Sequence, residues 1–122
     1  MDAVKKPTVY TYAKCSTCRN AVKWLRAEGI DFEEKPIRES PPTPAELKRM
    51  LAFQVGALKR LFNTSGGDYR ELKLGSKLPD MTEQDAFALL ASNGNLVKRP
   101  FLLTDTVGLV GFKADDWAVA LT

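Results

Sequence analysis

Histidine is absent from the 122-residue chain, and cysteine occurs only twice. Without histidine there is no Cys-His or Ser-His relay to activate a nucleophile. A four-coordinate zinc site within one chain would lack its third and fourth soft ligands. No run of about 18 apolar residues occurs, so the sequence holds no signal for a membrane-spanning helix. The segment Met1-Asp2-Ala3-Val4-Lys5-Lys6-Pro7 has no apolar stretch of the kind a secretory signal needs, which makes a cytoplasmic location the expectation. The net charge of +3 is too small to argue for direct nucleic-acid binding, although it helps attract small anions. Repeats, linkers and low-complexity segments are missing too, and the length suits one domain spanning residues 1–122.

Both cysteines lie in one short segment, Lys14-Cys15-Ser16-Thr17-Cys18-Arg19, directly after the β-rich run Thr8-Val9-Tyr10-Thr11-Tyr12. Ala21, Val22 and Leu25 then recur with helical spacing until Gly29, so the pattern reads as strand, tight turn and helix start. Cys15 falls at or just before the helix N-terminus, where unpaired backbone N–H groups and the positive end of the macrodipole stabilise a thiolate. The charges of Lys14 and Arg19 push the same way. Cys18 lies about one turn further on, within reach of a mixed disulfide formed at Cys15. Cys15 is the expected nucleophile and Cys18 the expected resolving thiol; the alternative is a pair of half-buried helix cysteines with no chemistry. In a reducing compartment a lone cysteine pair is more often catalytic or redox-sensing than a structural staple.

The rest of the chain frames this segment. Ile30 to Ile37 reads as a second strand with charged residues at a sheet edge, which completes a βαβ unit with parallel strands. Thr43-Pro44-Ala45-Glu46 is an N-cap, a helix-starting proline and a capping-box glutamate, predicting a helix to about Phe53 with Leu47, Met50 and Leu51 inward. Gly56 marks its end, and a shorter helical piece is expected from Ala57 to Phe62. Asn63 to Asp68 reads as a connector, though a Gly-rich turn can also form an anion nest. One helical turn is expected over Tyr69–Leu72, and Thr82 caps a helix that runs to Asn93. The middle of the chain, about 43–93, is thus a helical insertion. Strands over Phe101–Thr104 and Val107–Phe112 follow, joined by a turn at Asp105-Thr106, and a closing helix over Ala114–Leu121 sets Trp117 and Leu121 on one face. Tyr10, Tyr12 and Trp24 read more readily as core aromatics than as substrate contacts.

Several segments together resemble the arsenate reductase/Spx family: Tyr10-x-x-x-x-Cys15-x-x-Cys18-Arg19, Trp24-Leu25, Phe62-Asn63-Thr64-Ser65-Gly66, Tyr69-Arg70-Glu71-Leu72, Val97-Lys98-Arg99-Pro100 and Gly111-Phe112. The resemblance implies an α/β, thioredoxin-like fold with a helical insertion between a βαβ half and a ββα half. It further implies a cis bond between Arg99 and Pro100, and a role for Arg99 in holding an oxyanion or a thiolate. Arsenate reductases of this family that work with glutaredoxin use a single cysteine at the position of Cys15, and two more arginines. Near the first of those the chain offers Arg60; at the second it reads Gly111-Phe112-Lys113.

Spx-like members instead carry Cys-x-x-Cys as a redox switch and regulate transcription through RNA polymerase, with a charged C-terminal extension that this chain, ending at Thr122, does not show. A third, uncharacterised branch combines Cys-x-x-Cys, Asn-Thr-Ser-Gly and Lys-Arg-Pro, and the chain looks most like that one. The implied activity is thiol-dependent reduction of a disulfide or small oxyanion, with no bound metal or cofactor. Glutathione, glutaredoxin or thioredoxin would be the recycling reductant.

Overall fold

Strand β1 (Thr8–Thr11) sends Val9 to one side of a sheet and Tyr10 to the other, and this two-residue alternation divides the core in two. The computed structural model describes residues 6–122. Helix α1 (Ser16–Ala27) leaves the C-terminal end of β1 and buries Cys18, Ala21, Val22 and Leu25. The chain returns through β2 (Glu33–Pro36), parallel to β1 with Thr8 opposite Glu33 and Thr11 opposite Pro36. Only four residues of the expected second strand pair. Their charges and Pro36 suit an edge, where one side of the backbone faces no partner strand.

The insertion begins with α2 (Pro44–Phe53), capped as its sequence predicts: Glu46 N–H donates to Thr43 Oγ1 at 3.2 Å, and Thr43 N–H to Glu46 Oε1 at 2.9 Å. That carboxylate oxygen also accepts from Tyr10 Oη at 2.7 Å, tying the helix start to the sheet. A 3₁₀ turn (Leu58–Leu61), α3 (Gly67–Glu71), α4 (Leu74–Lys77) continuing into a second 3₁₀ turn (Leu78–Asp80), and α5 (Glu83–Ser92) follow. The turn over Leu74–Lys77 has no counterpart in the sequence reading. It starts from Lys73 in the left-handed region, φ 55°, which no local residue preference announces.

A third 3₁₀ turn (Gly94–Leu96) leads to β3 (Phe101–Leu103), β4 (Gly108–Val110) and α6 (Ala114–Leu121). The sheet order is β2-β1-β3-β4, with β3 antiparallel to β1 and β4 antiparallel to β3. This is the thioredoxin-like arrangement, a mixed sheet with α1 and α6 on one face and the insertion on the other. Val9, Leu102, Leu25 and Trp117 pack on the α1 side, where Trp117 meets Phe112 edge to face at 4.9 Å and Trp24 at 6.2 Å. Tyr10, Phe101 and Leu103 face the insertion and join Leu47, Met50, Phe62 and Leu90.

Candidate active site

The register places the two ends that matter side by side. Tyr10 pairs with Phe101, so the residues just before β3 lie level with those just after β1. Arg99 and Pro100, joined by a cis peptide bond, occupy that position. Beyond β1 the chain turns, with Cys15 N–H donating to the Tyr12 carbonyl at 3.0 Å, and Cys15 becomes the N-cap of α1.

Its sulfur takes the capping role that a serine or aspartate oxygen usually fills: the Cys18 N–H points at Cys15 Sγ over 3.2 Å. An anionic sulfur there faces an orphan backbone donor and the positive helix end. Cys15 is partly exposed, whereas Cys18 is 1% exposed, and both are free thiols. Burial pushes the Cys18 thiol up to about 12, aided by a hydrogen bond to the Cys15 side chain and the charge of that sulfur; the Tyr12 backbone and the Arg99 charge oppose the rise. One sulfur is thus presented to solvent at a helix start while its neighbour stays a buried neutral thiol.

A cavity of about 940 Å³ opens over Cys15. Lys14, Arg60, Lys98, Arg99 and Lys113 contribute to its wall, with Asp116 the one carboxylate among the described residues that line it. Arg60 arrives through backbone pairing distant in sequence: Asn63 N–H donates to Leu96 O at 2.7 Å and Lys98 N–H to Leu61 O at 2.8 Å. The same ladder carries Asn63, Ser65 and Gly66 to the cavity, so the segment read as a connector forms part of its wall. Lys113, at the position where the family resemblance asks for an arginine, reaches the wall as well. It supplies charge without the two-pronged geometry of a guanidinium.

Arg19 is not brought there. Its Nη1 donates to the Ala13 carbonyl at 2.8 Å, and its side chain lines a second groove along α1, on the Cys18 side. Tyr10 is buried in the core, Trp24 and Tyr12 are partly buried against it, and Tyr12 also lines the Cys15 cavity. Arg99 is half-buried; its Nη1 is fully buried with no hydrogen-bond partner among the described residues.

A thioredoxin-like sheet with a Cys-x-x-Cys at the start of its first helix places the chain among the thioredoxin-fold proteins. The sequence model of the ArsC family matches residues 10–120, and the chain belongs to that family. It is 46% identical to the uncharacterised Bacillus subtilis protein YusI over 90% of this chain and 93% of that one. It is 30% identical to the global transcriptional regulator Spx of Enterococcus faecalis, over 89% of this chain and 81% of the regulator. Among solved structures it superposes on a possible arsenate reductase from Streptococcus mutans with a TM-score of 0.82 and 38% identity, covering 88% and 91% of the two chains. Among the described residues no helix is long and apolar enough to cross a membrane.

The buried thiol makes stability depend on alkaline pH. The Cys18 pKa rises from an ordinary 9.0 to about 12 in the folded state, so the unfolded chain loses this proton first. The contribution is complete below about pH 9 and is lost as pH climbs toward 12. Tyr10, held up by burial and by its hydrogen bond to Glu46, acts with the same sign from its ordinary 10.0 upward. Urea denaturation from pH 8 to 11 is expected to show a falling unfolding free energy above pH 9, approaching about 1.4 kcal/mol per pH unit for each group that stays protonated only when folded. A Cys18→Ala variant should show a shallower fall between pH 9 and 10.

Proposed function

We propose that the protein is a thiol-disulfide oxidoreductase in which Cys15 is the nucleophile and Cys18 the resolving thiol. The observation that carries this reading is the Cys15 sulfur at the N-cap of α1, accepting from the Cys18 N–H and opening onto the cation-lined cavity. In the first step the Cys15 thiolate attacks one sulfur of a substrate disulfide. The substrate S–S bond breaks, and one half leaves as a thiolate that takes a proton from solvent. The other half remains joined to Cys15.

Burial still holds the Cys18 thiol up in that adduct, but the hydrogen bond to Cys15 and the charge on its sulfur, which had raised it further, are gone while the Arg99 charge remains. Cys18 then attacks Cys15 Sγ as its proton passes to the departing substrate sulfur; the second substrate half leaves as a thiol and a Cys15–Cys18 disulfide forms. The substrate has gained two electrons and the protein has lost two. Glutathione, glutaredoxin or thioredoxin would return them, so no bound metal or cofactor is required.

A disulfide substrate fits better than a bare oxyanion. Cavities of about 300–1,000 Å³ hold molecules of many atoms, and this one, at about 940 Å³, is near the top of that range. Arg60, Arg99 and Lys113 nevertheless share its wall, so arsenate remains a fair competitor to test. Single-turnover reduction of a small anionic disulfide should proceed, with arsenate reduced more slowly in the presence of glutathione and glutaredoxin. Faster arsenate reduction that needs Cys15 alone would overturn the assignment of substrate. Charge-assisted hydrogen bonds are worth about 1.5–3 kcal/mol, so Arg99→Ala is expected to lower kcat/KM for the anionic disulfide roughly 10- to 150-fold. A neutral disulfide should be affected less, and steady-state kinetics on the two substrates checks the difference.

The match to the Spx regulator favours one second reading, a redox-switched regulator in which the state of Cys15 and Cys18 alters a binding surface. Retention of RNA polymerase from a lysate only by the oxidised or only by the reduced protein, with no disulfide turnover, would establish it instead.

A further inference from the structure

We infer that Tyr12 is a positioning residue: its ring holds the Arg99 guanidinium in the wall of the Cys15 cavity, and Arg38 fixes the ring. The inference rests on the reading of Cys15 as the nucleophile. It does not require that any particular disulfide be turned over.

Three contacts carry it. The Arg99 guanidinium carbon lies 5.0 Å from the centre of the Tyr12 ring, over its face. The Arg38 guanidinium carbon lies over the same ring at 5.1 Å, and Arg38 Nη1 donates to the Tyr12 hydroxyl at 3.0 Å. The backbone of Tyr12 is tied to the nucleophile, since its carbonyl accepts the Cys15 N–H at 3.0 Å. One residue therefore sets the relation between the Cys15 turn, the cation beside it and the strand that precedes both.

The choice of an aromatic face to hold this cation has a chemical consequence. An arginine in a protein wall is commonly held by a carboxylate, which neutralises its charge and occupies its N–H donors. A ring face attracts a guanidinium through its quadrupole and leaves the donors free. Arg99 fits that arrangement: its Nη1 is buried with no hydrogen-bond partner among the described residues, and its side chain lines the cavity together with Cys15 and Tyr12. Arg99 is thus positioned with its charge unpaired by any carboxylate among the described residues, and an anionic group arriving at Cys15 meets that charge at the cavity wall. Arg38 is exposed, so its own charge stays in water while its Nη1 anchors the phenol.

The test is the alkylation of Cys15 by iodoacetate and by iodoacetamide, reagents of nearly equal size that differ in charge, followed by mass spectrometry to separate Cys15 from Cys18. The ratio of the two rate constants cancels the thiolate fraction and reports the local positive charge. Tyr12→Leu is expected to lower the iodoacetate to iodoacetamide ratio about tenfold, as the loss of a partly desolvated cation–π contact allows, while Tyr12→Phe stays within about threefold of the unmodified protein. Arg38→Met, at an exposed position, should lower the ratio about two- to threefold. It carries the test where Tyr12→Leu does not fold, provided the same exchange leaves the ratio unchanged in an Arg99→Ala background, which separates positioning from the loss of Arg38's own charge.

An unchanged ratio in folded Tyr12→Leu or in Arg38→Met overturns the inference, as does a fall in Tyr12→Phe as large as that in Tyr12→Leu. The ratio also separates this inference from the function proposed above. A shifted ratio without disulfide turnover leaves the positioning intact and removes the reductase reading; turnover with an unmoved ratio does the opposite.

Discussion

Cys15→Ser is expected to abolish disulfide reduction, and Cys18→Ser to stop the reaction halfway. A serine hydroxyl at the N-cap can still accept the Cys18 N–H, so the helix start and the fold should survive the first exchange. The chemistry cannot, because a hydroxyl ionises far too weakly at neutral pH to displace a thiolate from sulfur. Loss of a nucleophile that acts with its partners as a unit can cost up to about 10⁶-fold, and a fall of at least about 10³-fold in the single-turnover rate is expected here. Cys18→Ser leaves Cys15 and its cavity in place. The first half-reaction should keep its rate within a few fold, since buried Cys18 does not line that cavity. The second half should fail, leaving substrate attached. Equal loss in both variants would show that the cysteines do not have separate roles. Rapid-quench measurement of the released thiol distinguishes these cases.

Gly94→Ala should be the most damaging of the small substitutions to stability. A methyl group at this position would sit 1.9 Å from the Ile37 carbonyl oxygen and 2.9 Å from Arg38 Cα. Both are backbone atoms of the segment leaving β2, so neither can swing aside as a side-chain tip would. Overpacking of this kind costs about 3 kcal/mol or more when the backbone must move. For a chain of this length that corresponds to a fall in Tm of roughly 10 °C. Gly67→Ala is the control. It opens α3, nothing lies within 4 Å of the added carbon, and its stability should change by less than about 0.5 kcal/mol. Thermal denaturation followed by circular dichroism compares the two. The displaced segment also carries Arg38, so Gly94→Ala should reduce the charge-dependent alkylation of Cys15 as a secondary effect.

The central strand-turn-helix was legible because its signals are local. Alternation over Thr8–Thr11, helical spacing of Ala21, Val22 and Leu25, and a side chain able to cap at Cys15 all lie within 20 residues of one another. The capping box at Thr43 and the N-cap at Thr82 were legible for the same reason, and so was the closing ββα unit. The parts of the site that were not legible depend on pairing across long separations. The Asn63–Gly66 loop reaches Cys15 only because residues 61–63 pair with residues 96–98, and Arg60, expected there through the family resemblance alone, arrives by the same pairing. No local pattern near Arg60 records that pairing. Tyr12 packs against the core, as an aromatic residue on a βα unit is expected to; what makes it part of the site as well is the approach of Arg38 and Arg99, 26 and 87 residues away. Arg19 misled in the opposite sense, because proximity in sequence to Cys18 does not decide where a long side chain goes. Its donor is claimed by the Ala13 carbonyl.

Trapping the first adduct separates the roles of the two cysteines. Cys18→Ser protein is mixed with a small anionic disulfide, quenched with acid, digested and analysed by mass spectrometry. A stable mixed disulfide on Cys15 is expected at close to one equivalent per chain, replaced in the unmodified protein by a Cys15–Cys18 disulfide. An adduct on Cys18 in Cys15→Ser protein that forms as fast, or no adduct on Cys15 at all, would contradict these roles.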